Sequence, residues 1–97
     1  MYFITCFATA AGTAESDIEQ RTFGFYDNLE DCKSALFENR CDLHECYYDQ
    51  AVVERIGQGI HAESAEMAWL AWDEEKGGFF VCNKPQWANG WRNFAFG

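Results

Sequence analysis

The segment Tyr2-Phe3-Ile4-Thr5-Cys6-Phe7-Ala8-Thr9 limits the possible folds more than any other part of the chain. Aromatic and β-branched residues dominate it, as in a strand, and a period of two sets Tyr2, Ile4 and Cys6 on one face and Phe3, Thr5 and Phe7 on the other. Both faces are largely apolar, so the strand belongs inside a sheet. The apolar run is too short to cross a bilayer, and no Lys or Arg precedes it as a signal peptide would require.

The remaining elements follow from pattern and turn chemistry. Residues 10–19 are small and polar and predict a loop, and "RTFGFY" at 21–26 predicts a second strand joined to the first as a hairpin. Asp27 is placed to cap a helix with Glu30 at its third position, and Leu29, Cys32, Ala35 and Leu36 form its apolar stripe. Glu30, Asp31, Glu38 and Arg40 are left for water. Asn39 is suited to end the helix in a left-handed conformation, with "RCDLHE" as a bend or short helical turn. Strands are predicted at 47–56, 67–72 and 79–82, the last two joined by "DEEKGG", where Gly77 and Gly78 can supply positive φ. The order is β-β-α-β-β-β. It describes an α+β domain, an antiparallel sheet of about five strands with one main helix packed on one face.

The 97 residues suit a single domain, 1–97. A chain of this length buries only about 60 to 65 % of its unfolded surface, which predicts one modest core. With 48 % hydrophobic and 18 % aromatic residues, that core needs no metal or disulfide to close. Five cysteines without a secretory signal predict reduced thiols in a cytoplasmic protein. Sixteen acidic against seven basic residues give a net charge of −9, which disfavours nucleic acid and anionic membranes and favours a basic partner.

The stretch "CDLHECYYD" at 41–49 brings together thiols, an imidazole and carboxylates. Cys41, His44 and Cys46, with Cys32 as a possible fourth ligand, do not match paired zinc-ligand spacings, so no metal is assigned. An activated Cys46–His44 pair is also disfavoured, because Asp42, Glu45 and Asp49 oppose a thiolate. No serine lies in a nucleophile elbow, and "GQG" lacks the Lys of a phosphate loop. No catalytic residue and no cofactor are expected.

Two features remain as candidate binding surfaces. Between Asp27 and Glu54 eight carboxylates face only Lys33 and Arg40, so this segment carries six of the nine net negative charges. Glu30, Asp31, Glu38, Asp42, Glu45 and Asp49 are the candidate partner-binding residues. They form a row able to compete with nucleic acid for a basic groove; the plainer alternative is a solvated face that keeps the chain soluble. The second feature is aromatic. Trp87, Trp91 and Phe94 recur at i, i+4 and i+7, near Trp69 and Trp72. They either close the core or a homodimer seam, or form a cleft where a planar ligand stacks while Arg21 or Arg92 holds a phosphate.

Arg21-Thr22-x-Gly24-aromatic, the acidic helix, Asn39-x-x-Asp42, Tyr47-Tyr48 before Ala51-Val52-Val53-Glu54, Trp69-x-x-Trp72 and Pro85 form a pattern over residues 21–87. This pattern resembles a family of small acidic proteins of bacteria and their phages. The resemblance carries over no catalytic or binding residue, and Cys41 and Cys46 stand outside it. It implies interference with a host process. The expected function is therefore non-enzymatic: an acidic, phage-type interaction protein that binds and inhibits a basic host protein, such as a nucleic-acid-binding defence effector. The alternative is a homo-oligomer that sequesters a nucleotide-like signal in the aromatic pocket. A plain structural or assembly protein is a third reading.

Overall fold

The computed structural model describes residues 1–9, 18–44, 48–59 and 63–96. Five strands, β1 (Tyr2–Ala8), β2 (Glu19–Tyr26), β3 (Gln50–Ile56), β4 (Ser64–Asp73) and β5 (Gly78–Cys82), form one sheet, with helix α1 (Leu29–Phe37) between β2 and β3 in the chain. The sheet order is β2-β1-β3-β4-β5, and every neighbouring pair is antiparallel. This is the α+β arrangement expected, with β1 in the interior as its two apolar faces require.

β2 begins at Glu19 rather than 21 and β5 at Gly78 rather than 79, and three further boundaries differ from expectation for local reasons. The helix is capped by Asn28 rather than Asp27: the Asn28 side chain accepts from the Asp31 N–H (2.8 Å) and donates to the Asp31 carboxylate (2.9 Å). The cap is thus one residue later than the acidic pattern suggests, and Asp31 answers the Asn28 side chain rather than its backbone N–H as in a capping box. β3 begins at Gln50, because the Asp49 carboxylate turns back to accept from the Thr9 N–H (2.9 Å) and hydroxyl (2.6 Å). Tyr47, the expected first residue, lies outside the described residues. β4 begins at Ser64, three residues before the expected 67, since a register shift between Val53 and Glu54 absorbs Met67 and lets pairing continue. Asn39 does end the helix in the left-handed region, at φ 49, and a 3₁₀ turn follows at Arg40–Asp42.

The two glycines of the last hairpin do different work. Gly77 supplies positive φ (69), as its turn requires. Gly78 has no positive φ; a Cβ there would lie 2.0 Å from the Phe37 carbonyl oxygen, so this glycine lets the C-terminal end of α1 touch β5.

The apolar residues bury in two clusters rather than one. Ile4, Cys6, Cys32, Leu36, Val53 and Phe79 belong to the cluster between sheet and helix. Phe7, Val52, Trp69, Ala88 and Phe94 form the other, on the opposite face. That second face is covered by the segment after β5, which contains a 3₁₀ turn at Gln86–Ala88 and no regular helix, so the i, i+4, i+7 spacing of its aromatics is not helical. We call these faces the helix face and the tail face. No helix among the described residues is long and apolar enough to cross a membrane.

Two measurements test this packing. Gly78→Ala should destabilise by about 3 kcal/mol in urea unfolding, because the clash is with backbone that cannot rotate away. Cys32 is fully buried under α1, and burial pushes its thiol from 9.0 up to about 11, against a smaller opposing pull from the Tyr26 backbone. The folded protein then holds this proton more tightly than the unfolded chain. Its contribution to stability is complete below pH 9 and falls as pH rises from 9 towards 11, and Cys32→Ala should flatten that part of the curve.

Candidate functional site

Helix α1 and the turns at its ends carry most of the sequence-assigned acidic residues, and the structure sorts them. Glu30, Asp31, Glu38 and Asp42 are exposed. Asp49 is half-buried and both its oxygens are occupied by Thr9, so it holds the start of β3 rather than facing a partner. Glu54 faces inward and is fully buried. Glu45 lies outside the described residues. The band is therefore shorter than the sequence count implies, because Asp49 closes onto Thr9 and Glu54 lies on a central strand covered on both faces.

Its exposed members differ in what the fold gains from them. Glu30 and Asp31 sit in the first turn, where negative charge suits the helix dipole, and Asp31 also belongs to the cap. Glu38 caps the other end, where negative charge opposes the dipole and the last turn has no basic residue, and Asp42 follows in the 3₁₀ turn at φ 53, accepting from the Asn39 side chain (3.3 Å). Arg40 offsets part of this by pairing with Glu38 at 3.3 Å on the surface. Sequence reading missed two further carboxylates. Glu74 and Glu75 are exposed in the β4–β5 turn, which abuts this end of the helix through Gly78 and Phe37. The neighbouring Lys76 ammonium is drawn over the Phe80 ring (4.6 Å), and that ring stacks on Phe37 (5.0 Å).

The aromatic candidates do not form one cleft. Trp69 and Trp72 are three residues apart on a strand and so point to opposite faces. Trp72 lies on the helix face, where Arg21 stands over Phe23 at 4.9 Å. Trp69 lies on the tail face with Trp87, where the rings fill one another's space: Phe7 stacks on Trp69 (5.6 Å), and Phe94 and Trp87 meet Trp69 edge-on (5.3 and 6.0 Å). Trp91 is 37 % exposed at the rim, stacked on Phe94, and Arg92 beside it is exposed.

Four polar anchors hold the tail in place. Both Glu54 oxygens accept backbone N–H groups, from Phe94 and Ala95, each at 3.0 Å. Glu66, paired in register with Glu54, accepts from Trp69 Nε1 (2.8 Å) and from the Lys84 ammonium (3.0 Å). Trp87 Nε1 donates to the Gln50 side chain (2.8 Å), and the Gln20 side chain donates to the Phe94 carbonyl (3.0 Å). In sequence Glu54 looks like one more acidic residue. Only its register beside Val52 shows that it serves the tail.

Leu43 and His44, within the "CDLHEC" stretch, close the end of the helix-face core. Leu43 is buried, and the His44 ring lies parallel to Trp72 with centroids 3.9 Å apart. His44 Nδ1 lies 2.5 Å from the Tyr48 carbonyl oxygen, which can only accept, so Nδ1 carries the proton. Trp72 Nε1 is buried beneath this stack without a hydrogen-bond partner among the described residues. The Cys41 side chain and Cys46 lie outside the described residues, and among those described no three His, Cys, Asp or Glu side chains gather as metal ligands.

Comparison with protein-family models, with curated proteins and with solved structures gives no match.

The anchoring of the tail is directly testable. Glu54→Gln puts an amide donor against a backbone donor and should cost about 2 to 4 kcal/mol, read as a lower urea midpoint. Amide exchange at Phe94 and Ala95 should accelerate more than exchange in β1. An unchanged midpoint would show that the Glu54 carboxylate does not hold the tail.

Proposed function

We propose that this protein is a non-enzymatic acidic interaction module whose partner is a basic protein surface of the kind that binds nucleic acid. One observation carries the reading. Glu38, Asp42, Glu74 and Glu75 are exposed around the C-terminal end of α1, and although Arg40 pairs with Glu38 and Asn39 donates to Asp42, the group keeps a net negative charge where the helix dipole disfavours it. A partner rich in Lys and Arg would be drawn to this end by long-range attraction and held by charge pairing at close range. A role as inhibitor follows the sequence expectation of a small acidic protein of bacteria and their phages: occupying a basic groove is enough to keep nucleic acid out of it. Such binding needs no catalytic group.

Glu38→Gln, Asp42→Asn, Glu74→Gln and Glu75→Gln combined should leave the melting temperature unchanged or slightly higher, since each removes an unfavourable or exposed charge. The same variant should lose capture of basic proteins from a host lysate. Wild-type capture should weaken between low and physiological salt, where exposed charges are screened over ~8 Å. A variant that folds and captures the same proteins at every salt concentration would reduce these carboxylates to a solubility device.

A further inference from the structure

We infer that the outer edge of β2, with the aromatic patch Phe3–Phe25–Phe96, is a docking edge for an extended segment of the basic partner, added to the sheet as a sixth strand. This rests on the acidic-module reading and names the part of the partner that is gripped.

The sheet has two edges, and they are treated differently. β5 has five residues, is abutted by the C-terminal end of α1 at Gly78, and runs into Lys84-Pro85. Short length, a lysine and a proline are the usual means of blunting an edge. β2 has eight residues and no proline; its charged residues Glu19 and Arg21 lie in its first half, and a register shift opposite Ile4–Thr5 separates them from Phe25. Hydrogen-bond parity shows what it presents. Met1 and Ile56 exchange backbone bonds (3.4 and 2.9 Å), so in β1 the odd residues bond to β3 and the even ones to β2. Tyr26, Gly24, Arg21 and Glu19, paired with Tyr2, Ile4, Cys6 and Ala8, therefore spend their backbone groups inward. The backbone groups of Gln20, Thr22 and Phe25 point outward, and they have no backbone partner on that side among the described residues.

Beside these open groups lies apolar surface that the fold leaves in water. Phe25 is 55 % and Phe96 72 % exposed, and both rings rest on Phe3, at 5.3 and 5.1 Å. A strand added beyond β2 would set alternate side chains next to Phe25 on the tail face. Charge identifies the occupant. β2 runs directly into Asp27, Glu30 and Asp31, all exposed, so an extended segment along the edge meets carboxylates at its end. Lys or Arg there is attracted, whereas a second copy, with its net charge of −9, is repelled as a whole.

The test uses two synthetic probes of about eight residues, alternating Lys-Val and alternating Lys-Gly, titrated at low salt. They carry the same charges, but only the first has apolar side chains and strand preference. Wild type should bind Lys-Val at least about tenfold more tightly than Lys-Gly. Thr22→Pro, which removes an outward N–H, should erase that difference, as should Phe25→Ser with Phe96→Ser. Thr22→Ala, which loses only the hydroxyl bonded to Thr5 (3.0 Å), should retain it. The serine variant decides the matter if Thr22→Pro does not fold. Equal binding of the two probes to wild type, or a preference that survives in folded Thr22→Pro and in the serine variant, overturns edge docking and leaves the acidic reading standing. Failure of both probes to bind overturns the acidic reading itself. A wild-type dimer in sedimentation that Thr22→Pro dissolves would overturn the choice of partner in favour of a second copy.

Discussion

A carboxylate at the middle of the sheet organises the tail face. Glu54 sits on β3, the central strand, fully buried, and such a charge is tolerated only when its lone pairs are taken up by donors. The donors are the backbone N–H groups of Phe94 and Ala95, some 40 residues later in the chain. This fixes where the tail crosses the sheet. Once it crosses there, Phe94 falls against Phe7 and Trp69, and Phe96 falls against Phe3. The register pair Glu54–Glu66 sets two carboxylates opposite each other, and Lys84 at the start of the tail meets the second of them. Ring packing and charge satisfaction thus select the same path.

This arrangement also explains how a chain of 97 residues sustains two apolar clusters. An interior strand with two apolar faces needs cover on both. One layer is the helix, and the other is an irregular segment whose backbone donors are consumed by side chains of the sheet. The helix layer leaves its carboxylates in solvent, whereas the tail layer turns its aromatic rings inward and exposes them only at Trp91 and Phe96. Acidic and aromatic surfaces are consequently separated, and they approach each other where β2 runs into the helix.

Regular elements were largely legible in the sequence, since period and propensity act locally. The stripe Cys32, Ala35, Leu36 is buried as its spacing requires, and Asn39 takes the left-handed conformation that ends the helix. Asp27 and Glu30 match the capping motif one residue before Asn28, so local pattern favours the wrong cap. The turn pattern accounts for Gly77, whereas the contact with Phe37 is what demands glycine at Gly78. The candidate site was legible only in part. Glu30, Asp31, Glu38 and Asp42 are exposed, while Asp49 and Glu54 are spent on Thr9 and the tail. Composition cannot separate these classes, because an aspartate in solvent and one that closes a loop are the same letter.

By itself the sequence determined the class of fold, the helix and its apolar stripe, the interior position of the first strand and the excess of negative charge. These follow from interactions among residues a few positions apart, or from simple counting. Tertiary structure decided which carboxylates face water, that Trp69 packs with Trp87 and Phe94, that His44 lies flat on Trp72, and that the chain after β5 forms a second layer. Each of these depends on strand register and on contacts between distant segments. Register is set by the simultaneous burial of both faces of the sheet, a condition that no local window of the chain contains.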